Sequence, residues 1–325
     1  MDTGPLADFS LAAVPPGTRR RLALVAGTGS GGPATLPVVV AKGAAPGPTL
    51  LAVAGVHGDE YEGMEAIRGV FGRLDPGEMR GAFVGVIVAN PAAYEARTRA
   101  TPAYIDGLNL ARVFPGDPAG SPSLALAHAL LAFVLRLVTA DDLVLDFHSG
   151  SADIPFAPLI GFRAGNGPGT ERAEEAARRF GFPRLWRIPD APGPLNAETA
   201  RRGIPTLGTE TTGRAGCEPD DVAGFARGLA NLLAHLGVCP GWPVATRHDG
   251  PARDTVEVLA PAAGFLRPAA RLHDEVAAGG TLGTIVDLFG DPVAEVVAPV
   301  GGTLWAARSM PAVRTGELCA MIAVR

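Results

Sequence analysis

Apolar residues recur along the chain in short runs that are separated by glycine, proline and polar residues. The runs at 21–26, 36–41 and 49–54 have the length and composition of buried strands. Apolar positions then recur at helical spacing over 60–74, and another strand-like run follows at 83–89. This part of the chain is therefore predicted to form several strands of a sheet and the first helix.

The alternation of strands and helices continues further along the chain. A long apolar helix, opened by Ser-Pro-Ser, is predicted at 121–139, and a strand that is apolar except for Asp146 at 143–147. An amphipathic helix at 169–180, a short strand at 204–209 and a helix at 220–236 follow. Such alternation predicts an α/β sandwich.

Near residue 245 the pattern changes to short β-type segments with no helical period. We therefore predict an α/β domain at 1–244 and a small all-β domain at 245–325. The sequences VLAPAAGFL at 258–266 and VVAPVGGTL at 296–304 repeat one strand-turn-strand phrase, as in the hammerhead of biotinyl and lipoyl domains. Those domains carry their cofactor on a lysine, and this region has none. We predict a structural or oligomerising role for it, without covalent biotin or lipoate.

Composition narrows the class of protein. The 325 residues are 47% hydrophobic and 19% charged, with a formal net charge of −5, which favours a globular protein and gives no basic surface for nucleic acid. The three cysteines, Cys217, Cys239 and Cys319, are too few and too far apart for a disulfide framework. No export signal or membrane-spanning run is recognised. We expect a cytoplasmic protein without a membrane partner.

The segment AGVHGDE, at 54–60, follows a predicted buried strand and opens a helix. Functional residues of α/β sheets gather at such strand ends. His57 and Glu60 are three residues apart, so their side chains lie on one face of a turn and are able to share one ion. The pair alone also fits a helix-start carboxylate beside an exposed histidine.

A further histidine follows the apolar strand at 143–147, in the segment LVLDFHSG. Asp146 and His148 are two residues apart and face the same way on a strand, and a carboxylate beside a ligand histidine is common at metal sites. A buried histidine without a metal is the alternative. With His57 and Glu60, His148 completes the three protein ligands of a catalytic zinc site, which keeps a fourth position open.

Taken together, the motifs resemble the succinylglutamate desuccinylase and aspartoacylase family, a branch of the zinc carboxypeptidase-like fold. The likeness spans most of 49–215 and rests on six ordered features: GVHGDE at 55–60, Asn90-Pro91, Thr98-Arg99, DGLNLARVFPG at 106–116, LDFHSG at 145–150 and the glutamate of GTETTG at 208–213. It implies a mixed-sheet α/β/α sandwich with a barrel-sandwich or hammerhead-like β domain. It also implies a hydrolase with one Zn²⁺ per chain, held by His57, Glu60 and His148, with Asp146 behind His148.

The same resemblance assigns the remaining roles. Glu210 becomes the catalytic carboxylate, although its place at a predicted strand end also fits a solvated glutamate. Arg112 and Asn109 would bind substrate, and Arg99 would stabilise the oxyanion, with Arg97 as the other candidate. The family motif Asp-Leu-Asn-Arg reads Asn-Leu-Ala-Arg here, so Ala111 replaces an asparagine that orients substrate.

The expected activity is hydrolysis of the amide of a small N-acyl amino acid or related N-acyl amine, by a protein that we expect to be a homo-oligomer. Glu210 would take a proton from the attacking water and return it to the leaving nitrogen. A zinc carboxypeptidase acting on peptides remains an alternative, as does a decayed zinc-binding or assembly protein, for which Ala111 is the only support.

The glycine-rich stretch GTGSG at 27–31 predicts neither the nucleophile elbow of a serine hydrolase nor a phosphate-binding loop.

Overall fold

The structure is a computed structural model that describes residues 2–29, 32–165 and 167–325. Ser30 and Gly31, which belong to the glycine-rich stretch at 27–31, lie outside the described residues.

Ten strands form one mixed sheet: β1 (Asp2–Pro5), β2 (Thr18–Gly29), β3 (Gly32–Lys42), β4 (Ala45–Val53), β5 (Arg80–Val86), β6 (Leu143–Asp146), β7 (Leu159–Arg163), β8 (Leu185–Ile188), β9 (Thr206–Glu210) and β10 (Ala252–Arg253). Their spatial order is β1-β2-β3-β5-β4-β6-β9-β7-β8-β10.

Helices cover both faces of this large sheet. They are α1 (Glu62–Arg73), α2 (Pro91–Ala96), α3 (Pro122–Leu137), α4 (Pro168–Phe180), α5 (Leu195–Ala200) and α6 (Pro219–His235). Successive residues of a strand face opposite ways, so Leu50 and Ala52 join the core that includes α1, α4 and α6. Leu51 and Val53 join the core that includes α3. This arrangement confirms the predicted α/β sandwich.

The long periodic elements were predicted correctly, with ends that differ by a few residues. The strands β1, β7 and β8, which are short, were not predicted from the sequence, and neither were α2 and α5, each of 6 residues. Elements of this length contain too few apolar positions to establish a period.

Among the described residues, no helix combines the length and the apolar character needed to cross a bilayer.

Three parallel strands at the centre of the sheet end at the same edge. Val53 of β4 is in register with Asp146 of β6, and Asp146 is in register with Gly208 of β9. The residues that follow these positions include His57, His148 and Glu210. The sheet therefore brings together three segments that are far apart in sequence.

The remaining strands form a C-terminal unit of two four-stranded antiparallel sheets, here called the β module. Its strands are β11 (Thr255–Leu259), β12 (Gly264–Pro268), β13 (Glu275–Val276), β14 (Thr281–Val286), β15 (Pro292–Val297), β16 (Gly302–Ala307), β17 (Ala312–Val313) and β18 (Leu318–Val324). The sheet orders are β11-β18-β16-β13 and β15-β14-β12-β17. Strand β10 lies beyond residue 244 in the sequence, yet it pairs with β8 in the large sheet.

In each copy of the sequence repeat, at 258–266 and 296–304, the chain passes from one sheet of the β module to the other. One copy leads from β11 to β12 and the other from β15 to β16, and each passes from one sheet to the other. Ala260 and Ala298 occupy matching turns and are 2% and 1% exposed within one core. The β module is thus built from two similar halves, as the repeat predicted.

Candidate metal centre

The loop between β4 and α1 carries the first two candidate ligands. Gly55 adopts φ +66°, a left-handed conformation that suits glycine. A Cβ on Gly58 would lie 2.0 Å from the backbone carbon of Ala93, so this position has no space for a side chain. These glycines let the chain turn sharply, and both His57 and Glu60 are almost fully buried as a result.

The structure brings His57, Glu60 and His148 together. Their ligand atoms all lie within 4.8 Å of one another. Nδ1 of His57 is 2.7 Å from Oε1 of Glu60 and 3.2 Å from Nδ1 of His148, which in turn is 3.0 Å from Oε2 of Glu60. Two imidazole nitrogens and a carboxylate converge on one point, and this group could hold a metal ion.

The pKa values of His57 and Glu60 are shifted for different reasons. Burial, reinforced by the charge of Arg99, lowers the pKa of His57 to about 4. Burial opposes ionisation of Glu60, but the charge that His57 carries when it is protonated at low pH, together with hydrogen bonds to both histidines, outweighs burial and holds the pKa of Glu60 well below its usual value. Glu60 is therefore an anion at neutral pH, and His57 is neutral, as metal ligation requires.

Each histidine has a partner on the ring nitrogen that faces away from the cluster. Nε2 of His57 lies 3.1 Å from Oδ1 of Asn109, and Nε2 of His148 lies 3.4 Å from Oδ1 of Asp146. An oxygen at Nε2 favours a proton there and leaves Nδ1 free to bind a cation. Without a metal, burial lowers the pKa of His148, but the charges of Asp146 and Glu60 outweigh it and raise that pKa well above its usual value. A metal that binds at Nδ1 would therefore displace a proton from this imidazole. The structure places the carboxamide oxygen of Asn109 beside a candidate ligand, and the predicted role of Asn109 in substrate binding stays a prediction.

A buried polar chain continues behind Asp146. The amide of Asn196 donates to Oδ2 of Asp146 at 2.9 Å, and its own Oδ1 accepts from Nε of Arg163 at 2.7 Å. Both Asn196 and Arg163 are buried, at 6% and 7% exposure. The orientation of His148 is thereby connected to residues on α5 and β7 that the sequence analysis did not identify.

The structure distinguishes between the two candidate arginines. Nη1 of Arg99 is 2.7 Å from Oε1 of Glu60 and 2.5 Å from Oγ of Ser151. Arg97 ends α2 in a left-handed conformation, with φ 56°, and is exposed. Arg99 is therefore the arginine beside the candidate metal ligands.

Glu210, the last residue of β9, has a side-chain oxygen, Oε2, that is buried without a hydrogen-bond partner among the described protein groups. Burial, followed by the negative charge of Glu60, raises the pKa of Glu210 to about 8, against the lowering effect of His148 and Arg99. A carboxylate with a free oxygen and a raised pKa suits proton transfer near neutral pH.

Arg112 ends a short 3-10 helix, Leu110–Arg112, which Asn109 caps. Burial, followed by the charge of Arg99, lowers the pKa of Arg112, whereas the charges of Glu257, Glu210 and Glu60 raise it, so Arg112 lies within electrostatic reach of the proposed catalytic groups. Ala111 beside it is buried and offers no side-chain amide.

Ser151 is a further site residue that the sequence analysis missed. Its hydroxyl is 3.1 Å from Oε1 of Glu60, and the residue is 0% exposed. A serine three positions after His148 is too common a pattern to have indicated this contact.

Known proteins are similar in sequence to this chain over most of its length. The model of the succinylglutamate desuccinylase/aspartoacylase catalytic domain matches residues 46–236. The chain is also 32% identical over 302 residues to the N-alpha-acetyl-L-2,4-diaminobutyric acid deacetylase of Halomonas elongata, a match that covers 90% of this chain and 86% of the relative.

Solved structures extend the match to the β module. The succinylglutamate desuccinylase/aspartoacylase of Rhodobacter sphaeroides is 30% identical with a TM-score of 0.81, over 94% of this chain and 95% of that one. The product-bound ectoine utilization protein EutE of Ruegeria pomeroyi, 24% identical, shares the fold with a TM-score of 0.83 over 96% of this chain and 98% of its own. The chain therefore belongs to the succinylglutamate desuccinylase/aspartoacylase family.

Proposed function

We propose that this protein is a zinc-dependent deacylase that hydrolyses the amide bond of small N-acyl amino acids. The observation that carries the proposal is the convergence of His57, Glu60 and His148 on one point, with Glu210 and Arg99 beside them. The group has the two-imidazole, one-carboxylate composition of catalytic zinc sites.

The donor geometry fits one zinc ion. Donors held 2.0–2.1 Å from a tetrahedral ion lie roughly 3.3 Å from each other. Nδ1 of His57 is 2.7 Å from Oε1 of Glu60, Nδ1 of His148 is 3.0 Å from Oε2, and the two nitrogens are 3.2 Å apart. These donor separations, which involve both oxygens of the carboxylate, are close to that value. Zinc, when bound, supplies a Lewis acid that makes water nucleophilic near neutral pH.

The residues of the chain then supply proton transfer and charge stabilisation. Glu210 would accept a proton from the water whose oxygen attacks the acyl carbon. It would then deliver that proton to the nitrogen as the carbon–nitrogen bond breaks, because an unprotonated amine leaves poorly. Arg99 would donate hydrogen bonds to the oxygen on which negative charge develops.

The substrate proposal draws on the relative and on Arg112. The Halomonas elongata relative is a deacetylase for N-alpha-acetyl-L-2,4-diaminobutyric acid, a small amino acid with one acyl group. Arg112 would bind the α-carboxylate of such a substrate. N-acetylated amino acids and diamino acids are therefore the first compounds to test.

The test is a hydrolysis assay on protein that has been stripped of metal and reloaded with measured amounts of zinc. The panel contains N-acetyl, N-succinyl and N-formyl amino acids, N-alpha-acetyl-L-2,4-diaminobutyrate and unblocked dipeptides. We expect one zinc per chain and activity on one class of N-acyl amino acid. Faster cleavage of dipeptides would favour a carboxypeptidase, and bound zinc without any hydrolysis would favour a decayed site.

A further inference from the structure

The segment that follows His148 joins the candidate metal centre to the β module. Residues 149–157, here called the bridging loop, leave β6 and lead into β7. The first part of this loop contacts Glu60 and Arg99, and the last part contacts β16.

The inner part of the bridging loop binds the candidate ligands. The backbone amide of Ser149 donates to Oε2 of Glu60 at 3.2 Å, and the hydroxyl of Ser151 donates to Oε1 at 3.1 Å. Ser151 also accepts from Arg99. This part of the loop thus sets the positions of both Glu60 and Arg99.

The outer part of the bridging loop is held by the β module. The amide of Ala157 donates to the carbonyl of Trp305 at 2.8 Å, and the amide of Ser309 donates to the carbonyl of Asp153 at 2.9 Å. Phe156 pairs with Ala306 in an antiparallel bridge. Ile154, Phe156 and Trp305 belong to one apolar cluster that both parts of the protein share.

The two parts are connected through a tight turn. Ser151 pairs with Ile154 across this turn in an antiparallel bridge, so Ser151 is directly coupled to a residue that is anchored on the β module. A surface loop of this length, left without such contacts, would open at little free-energy cost. The β module supplies the apolar burial that prevents this opening.

We infer that the β module is a positioning element of the catalytic centre, which acts by clamping the bridging loop and so fixing Ser151 against Glu60 and Arg99. The inference rests on the proposed function for its catalytic consequence. The mechanical coupling between the β module and Ser151 is independent of that function. Misplacement of catalytic groups by about 1 Å commonly costs up to roughly 100-fold in rate, so the coupling is measurable.

The experiment compares Phe156→Ala with Leu282→Ala in the full-length, zinc-loaded protein. Phe156 anchors the bridging loop, whereas Leu282 is buried in the separate core of the β module and belongs to a different apolar cluster. Each variant removes one apolar side chain, and thermal unfolding shows whether their stability losses are similar. Hydrogen exchange over residues 148–152, zinc affinity measured against a chromophoric chelator, and kcat and KM are the readouts.

In Phe156→Ala we expect faster exchange over residues 148–152, a kcat lower by about tenfold or more, and a smaller change in KM. Phe156→Leu should recover most of the kcat, and Leu282→Ala should leave exchange in this segment unchanged. Wild-type exchange and kcat in Phe156→Ala would overturn the inference. Failure of the wild-type protein to hydrolyse any N-acyl compound would overturn the proposed function, while the exchange comparison would still decide the coupling.

Discussion

The side-chain amide of Asn196 donates a hydrogen bond of 2.9 Å to Oδ2 of Asp146, the carboxylate that faces His148. Oδ1 of Asp146 lies 3.4 Å from Nε2 of His148 and has no hydrogen-bond partner of good geometry among the described residues. Arg163 fixes Asn196 in turn, with its Nε 2.7 Å from the amide oxygen. Asn196 therefore determines which way the carboxylate points and, through it, the orientation of the imidazole.

Replacing Asn196 with leucine should weaken zinc binding. The change keeps the approximate side-chain volume but removes the donor to Asp146 and the acceptor for Arg163, so the carboxylate is free to rotate away from His148. Loss of such a supporting contact commonly lowers metal affinity by roughly 10-fold to 100-fold. Competition of the purified protein with a chromophoric chelator measures this affinity directly.

Asn231→Leu is the matched control for this variant. The amide of Asn231 donates to the carbonyl of Phe180 at 2.9 Å, on the far side of the sheet from Asp146. This variant should lose stability but keep wild-type zinc affinity. Equal zinc affinities for Asn196→Leu and wild type would contradict a role of Asn196 at the metal centre.

Glu210→Gln separates metal binding from proton transfer. Glutamine has nearly the same shape but cannot accept a proton from water, so we expect zinc binding to persist and turnover to fall by at least about 100-fold. His57→Ala should lose both zinc and activity, because it removes one of three converging donors. Zinc content from atomic absorption and single-turnover rates provide the two measurements. Sustained hydrolysis by Glu210→Gln would exclude Glu210 as the proton carrier.

The candidate ligands were predictable because their signals are local. His57 and Glu60 are three residues apart at the end of a recognisable strand, and His148 directly follows another run, which is apolar except for Asp146. Parallel strands of one sheet end at a common edge, so these patterns were sufficient to place the three residues together. The same reasoning identified the main helices and strands of the sandwich.

The supporting residues were not predictable because their partners are distant in sequence. Asn196 is 50 positions from Asp146, and Ser151 is 91 positions from Glu60. Neither residue belongs to a motif, and both are polar residues whose burial depends on tertiary packing. The contact between the β module and the bridging loop is of the same kind, since Trp305 and Phe156 give no sign in the sequence that they are neighbours.

Arg99→Gln should lower kcat, and Arg97→Gln should affect it much less. Arg99 is 2.7 Å from Oε1 of Glu60, whereas Arg97 is exposed at the end of α2. Removal of one donor to a developing oxyanion costs about 100-fold to 1000-fold in rate. Steady-state kinetics of both variants provide the comparison. If the order of the two effects were reversed, Arg97 would be the residue that acts on the substrate.

Arg112→Gln should raise KM more than it lowers kcat. A guanidinium that binds a substrate carboxylate contributes similarly to the ground state and the transition state, so its loss appears mainly in KM. The direct measurement compares an N-acetyl amino acid with its C-terminal amide. Wild type should prefer the free acid, and the variant should lose that preference. A preference that survives in Arg112→Gln would mean that another residue binds the carboxylate.

The stability of the metal-free protein should depend on pH through Glu210. Burial and the charge of Glu60 raise the pKa of Glu210 from 4.5 to about 8. Between these values the folded protein binds more protons than the unfolded chain, so the free energy of unfolding falls as pH rises through this window. One such group contributes a slope of up to about 1.4 kcal/mol per pH unit.

Glu210→Gln supplies the reference for this measurement because it lacks the titrating group. Urea unfolding of chelator-treated wild type and variant, from pH 5 to pH 8, should show the stability of wild type falling relative to that of the variant. Added zinc should flatten the difference, since a nearby cation favours the ionised carboxylate and lowers the pKa of Glu210. Parallel pH profiles for the two metal-free proteins would mean that Glu210 titrates alike in the folded and unfolded chain, and its assignment as a buried proton acceptor would then be wrong.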